Sequence, residues 1–182
     1  MFAWVQAVLK DLRRRRAGLL LAGLVAIQGA FAAPAPEAPD AYFRTAEGMT
    51  VSTAELKGEP TLLFLLSTWC TSCSAGVKAL YRQADQLEDL RLRVVVLRNY
   101  ENGGYPGMDI QPYVEQVVSN FVQPENWILG QASEKLDQAY YARHYPDIYF
   151  LIDANGRIQD VSSAPAATMD RILTFAIDQQ GD

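Results

Sequence analysis

Thr61-Leu62-Leu63-Phe64-Leu65-Leu66-Ser67-Thr68-Trp69-Cys70-Thr71-Ser72-Cys73 is the stretch of this 182-residue sequence that decides its fold. The apolar run at its start does not alternate, which indicates a strand buried on both faces. The two cysteines follow, and residues 76–87 continue with the period of a helix. A second apolar run over residues 92–97 completes a βαβ unit, which is right-handed by rule.

The remaining elements are predicted from hydrophobic period and turn residues. In chain order they are a hairpin over residues 42–51, a capping box at Ser52–Glu55, an amphipathic helix over 110–122 capped by Asp109, a strand at 127–129, a helix from Ser133 to about Arg143, a hairpin over 148–161 and a final helix capped by Thr168. Asn99 to Gly107 forms a polar, glycine-rich loop. The sequence therefore predicts one α/β domain over residues 42–182.

The N-terminus has the pattern of an export signal. Arg13–Arg16 precede an apolar stretch over residues 17–33, which contains the small-x-small motif Ala30-Phe31-Ala32. Residues 1–32 are therefore predicted to be a signal peptide, or alternatively an uncleaved membrane anchor, since the stretch has the minimum spanning length. Either form places the rest of the chain in the periplasm. Residues 33–41, with three prolines, are expected to be an extended linker.

Composition and charge exclude several classes of protein. Two cysteines and one histidine exclude a cysteine-rich scaffold, a four-cysteine zinc site and a centre with several histidines. Residues 1–32 contain five of the 16 basic residues and one of the 21 acidic ones, so the remainder has 11 and 20 and a net charge of −9. An acidic chain without a basic cluster is not expected to bind nucleic acid.

The C-x-x-C pair could be half of a zinc site, a structural disulfide or a redox centre. A structural zinc site needs four ligands, which two cysteines and one histidine do not supply. A disulfide between residues three apart adds little to the stability of the fold. In the redox interpretation Cys70 lies at a helix N-terminus, which favours its thiolate and lowers its pKa. Cys70 is then the exposed nucleophile, and Cys73 is the resolving thiol that attacks the mixed disulfide.

Residues 42–180 resemble the exported thioredoxin-like proteins of the TlpA/ResA type. The resemblance rests on Leu56-Lys57-Gly58, on the W-C-x-x-C motif and on the run from Tyr145 to Ile158. It implies a thioredoxin-like fold, with a central mixed sheet flanked by helices and a TlpA/peroxiredoxin-type helix–strand insert at about 110–129.

The resemblance also implies an activity. The protein would be a thiol–disulfide oxidoreductase that reduces or exchanges disulfides in periplasmic proteins, with a membrane electron donor. It would need no cofactor beyond the Cys70–Cys73 disulfide. Cytochrome c maturation, or upkeep of the thiols of a copper-site protein, would be its pathway. Trp69, Tyr145 and Pro146 would contact the substrate, and Pro146 would be cis and pack beside the cysteines.

Two residues depart from the pattern of related proteins. Phe64 stands where thioredoxins have a buried acid, and Gly76 stands where TlpA-type proteins have a glutamate. Glu47, Glu55 and Asp147 are the remaining candidates to accept the proton of the resolving thiol, and water could carry it instead.

Two other classes of function stay open. The sequence also resembles the Sco copper-delivery proteins, which implies a copper site formed by Cys70, Cys73 and His144. Thiolates and imidazole suit Cu(I). However, Sco cysteines are spaced C-x-x-x-C, and His144 stands one position early. The third class is a binding or assembly module in which Trp69, Tyr145 and Tyr149 form a docking surface.

Overall fold

The computed structural model describes residues 34–140 and 146–181. Its strands are β1 (Tyr42–Thr45), β2 (Thr50–Ser52), β3 (Thr61–Leu66), β4 (Arg93–Arg98), β5 (Trp127–Ala132), β6 (Asp147–Ile152) and β7 (Ile158–Ser163). Its α-helices are α1 (Thr71–Arg82), α2 (Ala84–Asp89), α3 (Ile110–Val117), α4 (Glu134–Tyr140) and α5 (Met169–Asp178). Short 3-10 segments lie at Thr53–Leu56 and Tyr100–Gly104.

The strands form one mixed sheet in the order β2-β1-β5-β4-β3-β6-β7. Strand β3 lies inside it, parallel to β4 and antiparallel to β6, and all six of its residues are buried. Leu62, Phe64 and Leu66 belong to a core shared with α1, α3 and α5, whereas Leu63 and Leu65 belong to the core on the α4 side. The predicted α/β sheet with helices on both faces is confirmed.

The predicted insert is present as α3 and β5, and β5 lies between β1 and β4. The helix is shorter than predicted, because it ends at Val117 rather than near residue 122. The backbone leaves the helical conformation at Val118, with φ −113° and ψ 111°, and Asn120 then has a φ of 56°. Phe121 then packs on the ring of Tyr81, with centroids 5.3 Å apart, while Val122 is 74% exposed. The apolar period over 110–122 therefore spans a helix and a turn.

Asp109 and Thr168 occupy the predicted N-cap positions of α3 and α5, but neither side chain makes a capping hydrogen bond, because each has a different partner. Asp109 makes no capping hydrogen bond and instead pairs with Arg98 at 2.7 Å. Thr168 also makes no capping bond, since its hydroxyl donates to the carbonyl of Ala164 and accepts from Tyr149. The predicted capping box is confirmed: Ser52–Glu55 makes both of its reciprocal hydrogen bonds.

The proline-rich segment that precedes β1 lies against the domain. The amide of Ala38 donates to Gly156 O at 2.8 Å, the amide of Ile158 donates to Pro36 O at 2.8 Å, and Ala41 is fully buried. The predicted signal segment, residues 1–32, lies outside the described residues. Within the part of the chain that is described, no helix is both long and apolar enough to cross a membrane.

Candidate active site

The two cysteines lie where β3 ends and α1 begins, at the carboxyl edge of the parallel strands. Cys70 is the N-cap of α1, in extended conformation with φ −87° and ψ 121°. Its Sγ accepts a hydrogen bond from the amide of Cys73 at 3.3 Å, as a capping side chain does. Both are free thiols in the structure. The capping geometry therefore holds the two residues in contact on one helical turn.

The Cys70 side chain is less accessible than the sequence predicts. Only 6% of the residue is exposed, whereas the preceding Trp69 is 48% exposed. The reason is the cap itself, because Sγ turns inward over the first turn and meets Ser72 Oγ at 3.1 Å. Cys70 therefore offers only a small area to any reacting partner.

Cys73 is fully buried behind Cys70 and has a backbone partner. Its Sγ donates to the carbonyl of Pro146 at 2.8 Å, and the same carbonyl accepts from the amide of Ser67 at 3.1 Å. Burial raises the pKa of the Cys73 thiol, and a hydrogen bond with Cys70 and the charge of Asp147 raise it further. Cys73 is therefore a protonated thiol at neutral pH.

Phe64 and Gly76 lie against each other at the core that also contains Cys73. A Cβ on Gly76 would lie 3.1 Å from Phe64 Cζ and 3.1 Å from Pro165 Cδ. The phenyl ring thus fills the space in which the resemblance expects carboxylates, and Gly76 makes room for the ring. This part of the core is apolar.

Asp147 is the carboxylate among the three candidates whose charge acts on Cys73, and it is 9% exposed. Glu55 is engaged in the capping box, where it accepts from the amide of Ser52 at 2.8 Å. Glu47 lies in the exposed turn between β1 and β2. Of the three candidates, only Asp147 therefore lies at the site.

A folded loop over residues 99–107 forms the front of the site. Trp69 Nε1 donates to the carbonyl of Asn102 at 2.8 Å, and the ring of Tyr105 meets the indole edge-on with centroids 5.0 Å apart. Asn102 is fully buried, and its Oδ1 accepts from the amide of Thr68 at 2.8 Å. The loop therefore fixes the two residues that precede Cys70.

The sequence interpretation treated this loop as a connection and missed Asn102 and Tyr105. The available signal was Asn102-Gly103-Gly104, since asparagine and glycine are the residues that tolerate positive φ. Glu101, Asn102 and Gly103 have φ values of 46°, 55° and 69°, and they form a tight left-handed turn. The turn brings Asn102 under Thr68, which the sequence alone does not show.

The predicted site residues are only partly brought together. Cys70, Cys73, Trp69 and Pro146 lie at one place, while Tyr149 is a fully buried core residue. His144 and Tyr145 lie outside the described residues. The peptide bond before Pro146 begins at Tyr145, so its predicted cis conformation lies outside them too. In the described ranges no three histidine, cysteine or acidic residues are grouped so that they could hold a metal ion.

The comparisons with known proteins agree with this geometry. The model of the AhpC/TSA family matches residues 33–161. None of the curated proteins is significantly similar in sequence.

Several solved structures resemble the chain closely in fold. A candidate thiol:disulfide interchange protein DsbE from Chlorobium tepidum is 19% identical, with a TM-score of 0.60, over 78% of this chain and 96% of that one. A secreted Mycobacterium tuberculosis disulfide oxidoreductase homologous to E. coli DsbE is 18% identical, with a TM-score of 0.54, over 75% and 94%. BsSco, of the Sco family of cytochrome c oxidase assembly proteins, is 16% identical, with a TM-score of 0.56, over 79% and 94%. These likenesses confirm the thioredoxin-like fold, and they agree with the TlpA/ResA-type resemblance and the weaker one to Sco.

Proposed function

Since this chain belongs to the AhpC/TSA family and has a thioredoxin-like fold, we propose that it is a thiol–disulfide oxidoreductase whose Cys70–Cys73 pair reduces or exchanges disulfides of exported proteins. The observation that carries the proposal is the capping contact, in which Cys70 Sγ accepts from the amide of Cys73 at 3.3 Å. This contact places Cys70 Sγ at the N-terminus of α1. The second thiol is buried within reach of the first.

The exchange cycle has two steps. The Cys70 thiolate attacks one sulfur of the substrate disulfide, which forms a mixed disulfide and releases one substrate thiolate. Cys73 then loses its proton and attacks Cys70 Sγ, which forms the Cys70–Cys73 disulfide and releases the second substrate thiolate. A thiol donor must afterwards return two electrons, and we assign that role to a membrane electron donor.

The proposed location is the periplasm, and the N-terminal sequence supports it. Arg13–Arg16 and the apolar stretch after them have the order of an export signal. Mass spectrometry of the periplasmic and membrane fractions would distinguish a cleaved protein beginning near residue 33 from an uncleaved anchor. A full-length protein found in the cytoplasm would contradict export. Cytochrome c maturation and upkeep of copper-site thiols are the two pathways proposed.

Trapping of mixed disulfides tests the roles of the two cysteines. Full-length Cys73→Ala should accumulate mixed disulfides through Cys70, because the resolving thiol is missing, while Cys70→Ala should accumulate none. Non-reducing gels followed by mass spectrometry would detect them. Equal trapping by the two variants, or by neither, would overturn the assignment.

The reduction potential gives the direction of electron flow. Equilibration with glutathione should place a reductant near or below about −250 mV and an oxidant near about −120 mV. A value in either range is compatible with disulfide exchange, whereas a pair that never forms a disulfide would contradict it.

Copper delivery is a second candidate, and the convergence of two thiols on one helical turn favours it. Thiolates are soft ligands that suit Cu(I), and His144 would be the third ligand. Anaerobic Cu(I) titration of the reduced protein should be compared with His144→Ala. An unchanged affinity would remove His144 from the site, and no binding would dismiss the copper function.

A further inference from the structure

The turn that joins β3 to α1 is bonded at its two ends to the surroundings of Cys73. It spans Ser67–Cys70, and the amide of Cys70 donates to the carbonyl of Ser67 at 3.1 Å. At its first residue, the amide of Ser67 donates at 3.1 Å to the Pro146 carbonyl, which also accepts from Cys73 Sγ at 2.8 Å. At its last residue, Cys70 Sγ accepts from the amide of Cys73 at 3.3 Å. The conformation of the turn therefore sets the placement of Cys70 Sγ relative to Cys73.

One residue from outside the turn holds both of its central residues. Asn102 Oδ1 accepts from the amide of Thr68 at 2.8 Å and from the hydroxyl of Thr68 at 3.2 Å. The carbonyl of the same asparagine accepts from Trp69 Nε1 at 2.8 Å. Because Asn102 is fully buried, water does not compete for its side chain. Asn102 therefore limits the conformations that the turn can adopt.

Asn102 is itself held in this position from the other side. Its Nδ2 donates to the carbonyls of Tyr105 and Pro106 at 3.1 and 3.2 Å, so both polar atoms of the side chain have partners. A Cβ on Gly107 would collide with Asn102 Nδ2 and Thr68 Oγ1, which shows how closely the end of the loop packs here. Asn102 also has a φ of 55°, a strained conformation for a residue other than glycine. Such strain persists where the surrounding structure enforces it, and it clusters at functional sites.

The resolving step of exchange depends on the placement of the two sulfurs. Once Cys70 carries a substrate, Cys73 must attack Cys70 Sγ, and groups that are held in the correct geometry react faster than groups that move freely. We propose that Asn102 is a positioning residue for this step, which holds the Ser67–Cys70 turn so that Cys70 Sγ stays within reach of the Cys73 sulfur. The inference rests on the proposed function, since it assigns a residue to one step of the same reaction.

The test uses dithiobis(nitrobenzoate) and the reduced full-length protein, because this reagent separates the two steps. The Cys70 thiolate attacks one sulfur of the reagent, which forms a mixed disulfide on Cys70 and releases one coloured thionitrobenzoate anion. Cys73 then loses its proton to solvent and attacks Cys70 Sγ, which forms the Cys70–Cys73 disulfide and releases a second anion. Both anions are followed by absorbance. The rate of the first phase rises with the reagent concentration, whereas the second phase is unimolecular and does not depend on it.

We expect Asn102→Gly to slow the second phase roughly 10- to 100-fold and to change the first phase by less than about 3-fold. Glycine is chosen because it tolerates the φ of this position while it lacks the side chain. Trp69→Phe keeps an aromatic ring and loses the Nε1 donor, so it should slow the second phase roughly 3- to 10-fold, the effect of one hydrogen bond. This second variant decides the question if Asn102→Gly does not fold.

Asn126→Ala is the matched control. Asn126 Nδ2 also bonds to a distant part of the backbone, since it donates to the carbonyl of Leu92 at 2.8 Å. This contact lies where β4 and β5 begin, at the opposite end of the parallel strands from the cysteines. Its loss should lower stability without changing either phase, because the folded protein is unaltered at the site.

The outcomes separate this inference from the proposed function. An unchanged second phase in Asn102→Gly and Trp69→Phe, a loss confined to the first phase, or an equal loss in Asn126→Ala would overturn the positioning role and leave the proposed oxidoreductase function intact. If the wild-type protein released no second anion, or no more thionitrobenzoate than Cys70→Ala, the proposed function would fail and the inference with it.

Discussion

The contact between Phe64 and Gly76 behind Cys73 leads to a sharp prediction about Gly76→Ala. Gly76 lies inside α1, where alanine is normally favoured over glycine by about 1 kcal/mol. The new Cβ, however, would lie 3.1 Å from Phe64 Cζ, 3.3 Å from Phe64 Cε1 and 3.1 Å from Pro165 Cδ. Ordinary carbon contacts are about 3.5–4.0 Å, so the ring or the helix must move.

The expected magnitude is the difference between these two effects. Adding a methyl group to a packed core costs about 1–3 kcal/mol, and Phe64 is fully buried and has little room to retreat. After the gain in helix propensity is subtracted, Gly76→Ala should lower the free energy of unfolding by about 0–2 kcal/mol. In a Phe64→Leu background two of the three contacts disappear, so the same substitution should be about 1–2 kcal/mol less costly than in the wild type.

The assay is a double-mutant cycle in urea on the reduced protein. The coupling energy between positions 64 and 76 should be about 1–2 kcal/mol. Phe150→Leu is the control background, because Phe150 belongs to the core on the opposite face of the sheet, and Gly76→Ala should cost the same there as in the wild type. If Gly76→Ala stabilised the wild type by the full 1 kcal/mol, or had the same effect in all three backgrounds, the tight apolar wall would be refuted.

The remaining predictions concern the front loop and the buried thiol. Asn102→Ala should lower the free energy of unfolding by about 2–4 kcal/mol. The substitution leaves the Thr68 amide without its hydrogen-bond acceptor and places alanine at a φ of 55°. Asn102→Gly, which also loses the side chain but tolerates a φ of 55°, should lose less in the same urea titration, and a larger loss would contradict the strain argument. The reduced protein should also lose stability as the pH rises above 9.0, the ordinary pKa of the Cys73 thiol. Above that pH the unfolded chain releases this proton while the folded chain keeps it, so unfolding is favoured. Cys73→Ala should flatten the pH dependence in part, and an unchanged profile would contradict the buried thiol.

Local patterns were sufficient to predict the elements that carry the cysteines. The unbroken apolar run of β3 indicated burial on both faces, and all six residues are buried. The capping box at Ser52–Glu55 was predictable because both of its partners lie within four residues of each other. Interactions of this range depend on the local backbone alone, so a sequence pattern represents them well.

The front of the site could not be predicted in this way, because its contacts join distant parts of the chain. Asn102 meets Thr68 across 34 positions, and Trp69 meets the Asn102 carbonyl across 33. Asp109 is a similar case. A local rule assigns its side chain to the capping of α3, but its carboxylate pairs with Arg98. For Asp109 a partner supplied by the fold replaced the one that the sequence suggested, whereas for Thr68 and Trp69 the sequence suggested no partner.

The two sides of the site differ in polarity and in exposure to solvent. Behind Cys73, the ring of Phe64 fits the space left by Gly76, so the resolving thiol stays dry and its proton stays bound at neutral pH. In front of Cys70, the exposed rings of Tyr100 and Tyr105 and the carboxylate of Glu101 lie on a loop held by Asn102. Under the proposed function, we expect the rear, together with the turn that Asn102 holds, to govern how readily the mixed disulfide is resolved and the exposed front to govern which polypeptide forms it. Substitutions in the loop should change substrate preference without changing the packing around Phe64, since no shared side chain joins the two surfaces among the contacts described.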